Sequence, residues 1–195
     1  RLVSERALLA EMRAALTPLG AKQRGHSGVF IADHGFWLAL VEVKTERQLL
    51  TVGAHWLWFV QSRHCFDCGE RLPFNAGNAA RMAADAVASV SALRSRLRSL
   101  AAIARELAAP VDGFWPLYHA GVAAALAGDK AAARQHFARI AAKPADRDWQ
   151  IAVRAAARSL DEAIGHAGPF QAQVEAIVVQ TRTLQGLPPG PVRFT

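Results

Sequence analysis

The residues most able to do chemistry are two cysteines in the segment His64-Cys65-Phe66-Asp67-Cys68-Gly69. Two thiolates at this spacing form half of a zinc site, and His64 is a candidate third ligand. The sequence has no second CxxC pair and no C-terminal histidine pair to supply the other half. A redox role needs CxxC at the start of a helix, whereas glycine, charged residues and proline follow here. We predict a turn between strands and no metal, and keep Cys65, Cys68 and His64 as the candidate ligands of the alternative.

Catalytic motifs are not evident elsewhere in the chain. The seven histidines are dispersed without an HExxH pair, the serines lack a GxSxG elbow, and the glycines form no phosphate-binding loop. The sequence therefore favours a non-enzymatic protein without a cofactor. An enzyme of unrecognised type stays open as an alternative.

Aromatic and arginine residues are better candidates for a functional surface, because these two residue types together anchor protein interfaces. In the apolar run 55–59, alternation assigns Trp56 and Trp58 to the core face of a strand and the other three residues to the opposite face. Arginines follow, and three of them fall within about 40° on one face of a predicted helix. The predicted partner-binding residues are His55, Leu57, Phe59, Arg63, Arg71, Arg94, Arg98 and Arg105. A solvated helix face is the other interpretation of the arginine stripe.

The charge of the chain indicates what such a surface would bind. The formal net charge is +7 at pH 7, which favours an anionic partner. We expect an acidic protein, and nucleic acid is the alternative, since aromatic stacking combined with phosphate pairing suits single strands. A membrane partner is not expected, because no run of about eighteen apolar residues exists. Two cysteines three positions apart are poor material for secreted disulfides, so we predict a cytoplasmic location.

The hydrophobic periodicity predicts the elements that position these residues. A helix capped by Ser4 comes first, and the period then changes from 3.6 to 2 for an antiparallel meander of three to four strands. Past the break at Pro73–Gly77 the strand period does not return. The predicted elements after the first helix are a basic turn at Lys22–His26, strands at Val29–Ala32, Phe36–Thr45, Leu50–Phe59 and Arg63–Leu72, and helices at Asn78 to about Ala108, Trp115–Lys143 as a hairpin, Arg147–Ile164 and from Pro169 onward.

The predicted fold class is therefore α+β, with an N-terminal helix, a small antiparallel sheet and about five helices in the C-terminal half. We expect one cooperative domain over residues 1–195, with helix and sheet in 1–73 and helices in 78–187.

Two resemblances add to these expectations. Leu117, Gly121 and Ala124, a Gly128-Asp129 turn, then Ala133, Phe137 and Pro144 resemble one tetratricopeptide repeat, which implies a helical hairpin. The first seventy residues resemble an uncharacterised family of small bacterial proteins of unknown function. The residues that carry this second likeness are Leu16-Thr17-Pro18-Leu19-Gly20, Lys22-Gln23-Arg24-Gly25, Trp37 and Val52-Gly53. Small proteins of this kind include immunity proteins, so the resemblance implies an inhibitor that neutralises a partner toxin.

Overall fold

The computed structural model describes residues 4–75, 77–109, 112–165, 169–190 and 192–194. These residues form an N-terminal helix, a five-stranded antiparallel sheet and a helical C-terminal half, so the predicted α+β class is confirmed. The elements are α1 (Glu5–Leu16), β1 (Ala21–Gln23), β2 (Val29–Asp33), β3 (Trp37–Lys44), β4 (Leu49–Trp56), β5 (Asp67–Leu72), α2 (Ala79–Arg96), α3 (Leu100–Leu107), α4 (Phe114–Leu126), α5 (Lys130–Ala141), α6 (Asp148–Ile164) and α7 (Pro169–Leu184).

The chain divides into two compact units. The sheet unit comprises the chain up to Leu57 together with Gln61–Arg96, and the helical unit comprises Trp58–Val60 together with the chain from Leu97 onward. The division falls after α2 and not at the predicted break of Pro73–Gly77, because α2 packs on β3, β4 and β5. Cooperative unfolding of the two units as one domain stays a prediction.

The sheet unit is a meander in the order β1-β2-β3-β4-β5, with every neighbouring pair antiparallel. Helix α1 starts at Ser4, whose hydroxyl accepts a hydrogen bond from the Ala7 N–H, and it packs against α2. The central strand β3 is buried at its first five residues, as expected of a strand that is apolar on both faces. Trp56 at the end of β4 is fully buried, so this side chain belongs to the core, as the alternation predicted.

Three local predictions were wrong in the sheet unit. The predicted basic turn at Lys22–His26 overlaps strand β1, which pairs with β2 through Ala21↔Ala32 and its neighbours. Strand β4 ends at Trp56 and does not continue to Phe59. The last strand begins at Asp67 and not at Arg63, and it contains an irregularity, because Cys68 has a positive φ of 53° and the pairing with β4 shifts register between Val52 and Ala54.

The long helix predicted from Asn78 to about Ala108 is two helices. It ends at Arg96, and α3 begins after Ser99, whose extended backbone and hydroxyl cap the new helix by accepting from the Ala102 N–H. Serine competes for backbone donors in this way, and the break follows from that local chemistry. The predicted arginine stripe is broken as well, because Arg94 lies in α2, while Arg98 and Arg105 belong to the helical unit.

The helical unit is built from neighbouring antiparallel hairpins. Helix α3 packs on α4, α4 on α5, α5 on α6 and α6 on α7, with a further contact between α4 and α6. Among the helices of the described ranges, none combines the length and the apolar character needed to cross a membrane.

Candidate partner-binding surface of the helical unit

The first hairpin of the helical unit, α4–α5, has the features that the sequence predicts. Gly128 turns the chain with a φ of 92°, and the Asp129 carboxylate caps α5 by accepting from the Ala132 N–H at 2.9 Å. Gly121 lies against Phe137, where a Cβ atom would approach the ring to 2.5 Å. The absent side chain therefore lets the two helices approach closely.

A second hairpin, α6–α7, follows the first. Helices α4 and α6 start at Phe114 and Asp148, an interval that matches the ~34-residue period of tetratricopeptide repeats. The sequence pattern did not predict this second hairpin as a repeat, because the positions 34 residues after Gly121, Gly128 and Phe137 hold other residue types. Those positions are Ala155, Glu162 and Gln171.

Two tryptophans occupy equivalent places in these hairpins. Trp115 and Trp149 are each the second residue of the first helix, and their rings stack in parallel, with centroids 6.0 Å apart and planes 6° apart. Phe59 contacts Trp115 edge-on at 4.5 Å, and Phe114 contacts Trp149 in the same way at 5.7 Å. We call Phe59, Trp115 and Trp149 the aromatic surface. Trp149 is 41% exposed, and the other two are partly exposed.

A buried hydrogen-bonded layer supports the aromatic surface. The Trp58 indole N–H donates to His119 Nδ1 at 2.9 Å, and the Tyr118 hydroxyl donates to the Trp58 carbonyl at 3.0 Å. The Thr181 hydroxyl lies 3.1 Å from the Phe59 carbonyl. Burial raises the pKa of Tyr118 well above its ordinary value, so the phenol stays protonated and keeps donating.

This layer fixes the tautomer of His119 and the backbone of the short segment that carries Phe59. Since an indole nitrogen can only donate, His119 Nδ1 must be an acceptor and the ring proton is on Nε2. The His119 ring and the Phe59 carbonyl are thereby held in place. The aromatic surface is thus presented by rigid elements, which lowers the entropy lost on binding.

The structure excludes two of the predicted partner-binding residues from any surface. His55 and Leu57 both have 0% exposure in the sheet unit. The His55 Nδ1 atom accepts a hydrogen bond from the Cys65 N–H at 3.1 Å, which ties the loop before β5 to β4. Alternation placed both side chains on an open sheet face. His55 lies within β4, but the loop that carries His64 and Cys65 contacts its ring, and Leu57 lies beyond the end of β4 at Trp56.

The other predicted residues keep exposed surface, and Phe59 is the one that joins the aromatic surface. Arg63, Arg71 and Arg94 are exposed in the sheet unit, and Arg98 and Arg105 are exposed in the helical unit. Sequence reasoning missed Trp115 and Trp149. Their signal was present, because the two tryptophans are separated by one repeat period.

The candidate metal ligands do not converge on a site. Within the described residues, no group of three or more His, Cys, Asp or Glu side chains is arranged to hold a metal ion. Cys65 and Cys68 form no disulfide with each other, and burial, followed by the charge of Asp67, raises the pKa of the Cys65 thiol. His64 Nε2 accepts from the Arg24 guanidinium at 3.0 Å, since arginine can only donate.

Comparisons of the chain with protein-family models, with curated protein sequences and with solved structures found no match.

Proposed function

We propose that this chain is a non-enzymatic protein-binding module, and that its helical unit engages the partner through the aromatic surface. The observation that carries the proposal is the parallel stack of Trp115 on Trp149, with Trp149 41% exposed. Large aromatic side chains of this kind supply most of the binding energy at protein interfaces. A stacked pair at equivalent positions of adjacent hairpins also resembles the way repeat arrays build extended binding surfaces.

Charge indicates the chemistry of the partner. Lys and Arg outnumber Asp and Glu by 12 to 8 in the sheet unit and by 11 to 8 in the helical unit. Both units therefore attract an acidic protein, and this attraction speeds the encounter more than it strengthens the final complex. The resemblance of the first seventy residues adds a narrower proposal, namely that the partner is a toxin which the chain neutralises.

Selection from a random peptide display library on the immobilised chain tests the proposal. We expect enriched peptides with acidic residues next to an aromatic or aliphatic residue. W149A should weaken the affinity for a purified synthetic copy of an enriched peptide by roughly 30-fold, the loss typical of an interface hot spot. Val179 is also exposed, at 53%, and V179A is the matched control, for which we expect little change. Thermal unfolding of both variants shows that they are folded.

Two results would overturn the protein-binding proposal. One is the absence of enriched peptides, or peptides whose affinity is the same for W149A and wild type. The other is W149A-sensitive binding of mixed-sequence single-stranded DNA, with affinity that falls steeply as salt rises, in place of peptide binding. That second result would assign the aromatic surface to nucleic acid.

A further inference from the structure

A cavity of about 370 Å³ lies beside β5 in the sheet unit. Its floor is a row of three side chains from adjacent strands, since Glu42 on β3 pairs with Thr51 on β4, and Thr51 pairs with Arg71 on β5. Strands are about 4.8 Å apart, so the Cα atoms of Glu42 and Arg71 are about 10 Å apart. One carboxylate and one guanidinium therefore lie at opposite ends of the floor, with a hydroxyl between them.

Two glycines allow Phe66 to lie beside this cavity, and one of them, Gly69, also lines it. A Cβ atom on Gly53 would lie 2.7 Å from the Cα atom of Phe66, and one on Gly69 would collide with the Val52 carbonyl. Only glycine at both places lets the chain around Phe66 lie directly on β4. The Phe66 side chain then walls the cavity next to the charged row.

The charged groups of the cavity keep atoms that a ligand can use. The Arg71 side chain makes no hydrogen bond or ion pair with residues that the structure describes. Glu42 uses one carboxylate oxygen for the Lys44 ammonium at 2.9 Å. Its second carboxylate oxygen can accept from a ligand.

We infer that this cavity binds a small zwitterion of the amino-acid or short-peptide class. The ligand carboxylate pairs with the Arg71 guanidinium, a geometry that arginine forms with two parallel hydrogen bonds. The ligand ammonium lies at the opposite end, where it donates to Glu42, and the Thr51 hydroxyl lies between the two charges. The cavity volume is within the range of small-molecule sites, ~300–1,000 Å³.

Titration of ¹⁵N-labelled full-length chain with glycine, L-leucine and glycylglycine tests this inference. We expect amide shifts at Thr51, Gly69 and Arg71, and weaker binding of acetate and methylamine, each of which carries one of the two charges. R71Q and E42Q should each weaken the best zwitterion by about 10-fold or more, whereas R71K should fall between wild type and R71Q. R63Q, at an exposed arginine of the same unit, is the matched control and should bind as wild type does.

The inference is overturned if no zwitterion shifts these amides at millimolar concentration, or if acetate binds as tightly as the zwitterions. It is also overturned if R71Q or E42Q, with a folded wild-type-like spectrum, binds the zwitterion as wild type does. The titration is independent of the proposed protein-binding function, because Trp149 belongs to the helical unit. W149A should therefore leave the titration unchanged while it weakens peptide binding.

Discussion

Replacement of His55 by asparagine should reduce the loss of stability that the sheet unit suffers in acid. His55 is fully buried, and its Nδ1 atom accepts from the Cys65 N–H. Burial, followed by the charge of His64, lowers the pKa of His55 from 6.5 to about 4. Between about pH 6.5 and pH 4, His55 therefore binds a proton in the unfolded chain but stays neutral in the folded one.

The sign and size of the effect follow from this depressed pKa. Since the folded pKa lies below the unfolded one, the stabilisation is complete above about pH 6.5 and is lost as the pH falls towards 4. Between about pH 8 and pH 5, His55 alone should cost ~2 kcal/mol of the free energy of unfolding. Asparagine does not titrate, and its Oδ1 atom lies close to the position of Nδ1, so H55N should keep the hydrogen bond and avoid this cost.

Two other groups of the sheet unit titrate in the same range. Burial, followed by the charge of Arg94, lowers the pKa of His34 to about 4, so His34 also contributes to the loss of stability in acid. Burial raises the pKa of Asp67 to about 6, which contributes stability at low pH that is lost as the pH rises through 6. Both groups are present in wild type and in H55N, so the comparison of the two proteins isolates His55.

The assay must report the sheet unit by itself. Urea unfolding followed by pulsed hydrogen exchange of peptides from Trp37–Lys44 gives the unfolding free energy of this unit at pH 8 and pH 5. H55Q is the matched control, because its oxygen cannot reach the Nδ1 position. It should lose about 1 kcal/mol at both pH values, the typical cost of one hydrogen bond, and should respond to acid as weakly as H55N. An H55N protein that loses as much stability in acid as wild type would refute the assignment of this loss to His55.

Three further changes have defined outcomes. G121A should lower the thermal midpoint of the helical unit, because the new methyl group meets Phe137, and F137L in the same chain should restore part of the loss. S99A should destabilise α3 by about 1 kcal/mol in native-state hydrogen exchange through loss of its cap, whereas exposed S95A should not. Between pH 5 and pH 8 in urea unfolding, D67N should gain ~1.5 kcal/mol more unfolding free energy than wild type, because the raised pKa of Asp67 costs wild type stability as the pH rises. An equal change in the two proteins would contradict that origin.

Periodicity carried most of the fold, because it reports which residues are buried. Leu8, Met12 and Leu16 recur at helical spacing and are all buried in α1, and the change to a period of 2 at Val29 marks the first residue of β2. Strand β1 was missed, since three residues are too few to show a period and two of them, Lys22 and Gln23, are polar. Its pairing with β2 supplies the stabilisation that its own composition does not indicate.

Local side-chain chemistry limited the helix prediction. An apolar stripe runs through Leu93, Leu97 and Leu100, and a stripe alone predicts an unbroken helix. Ser99 ends that continuity, because its hydroxyl bonds to the N–H of Ala102 and starts a new helix. The predicted arginine surface depended on one helix carrying Arg94 and Arg105, so the single cap at Ser99 removed the geometry on which that surface was based.

The failure at residues 55–59 has a different cause, and it explains where the candidate surface lies. Alternation of apolar and polar residues predicts which face a side chain occupies only within a hydrogen-bonded strand, and β4 ends at Trp56. Leu57 and Trp58 are neighbours, so a strand would place them on opposite faces, yet both are fully buried, one in each unit. Phe59 belongs to the helical unit, where it packs on Trp115. Its partner-binding role stays a prediction, and the rings of the aromatic surface that it joins lie 34 residues apart on α4 and α6 and not on the strand.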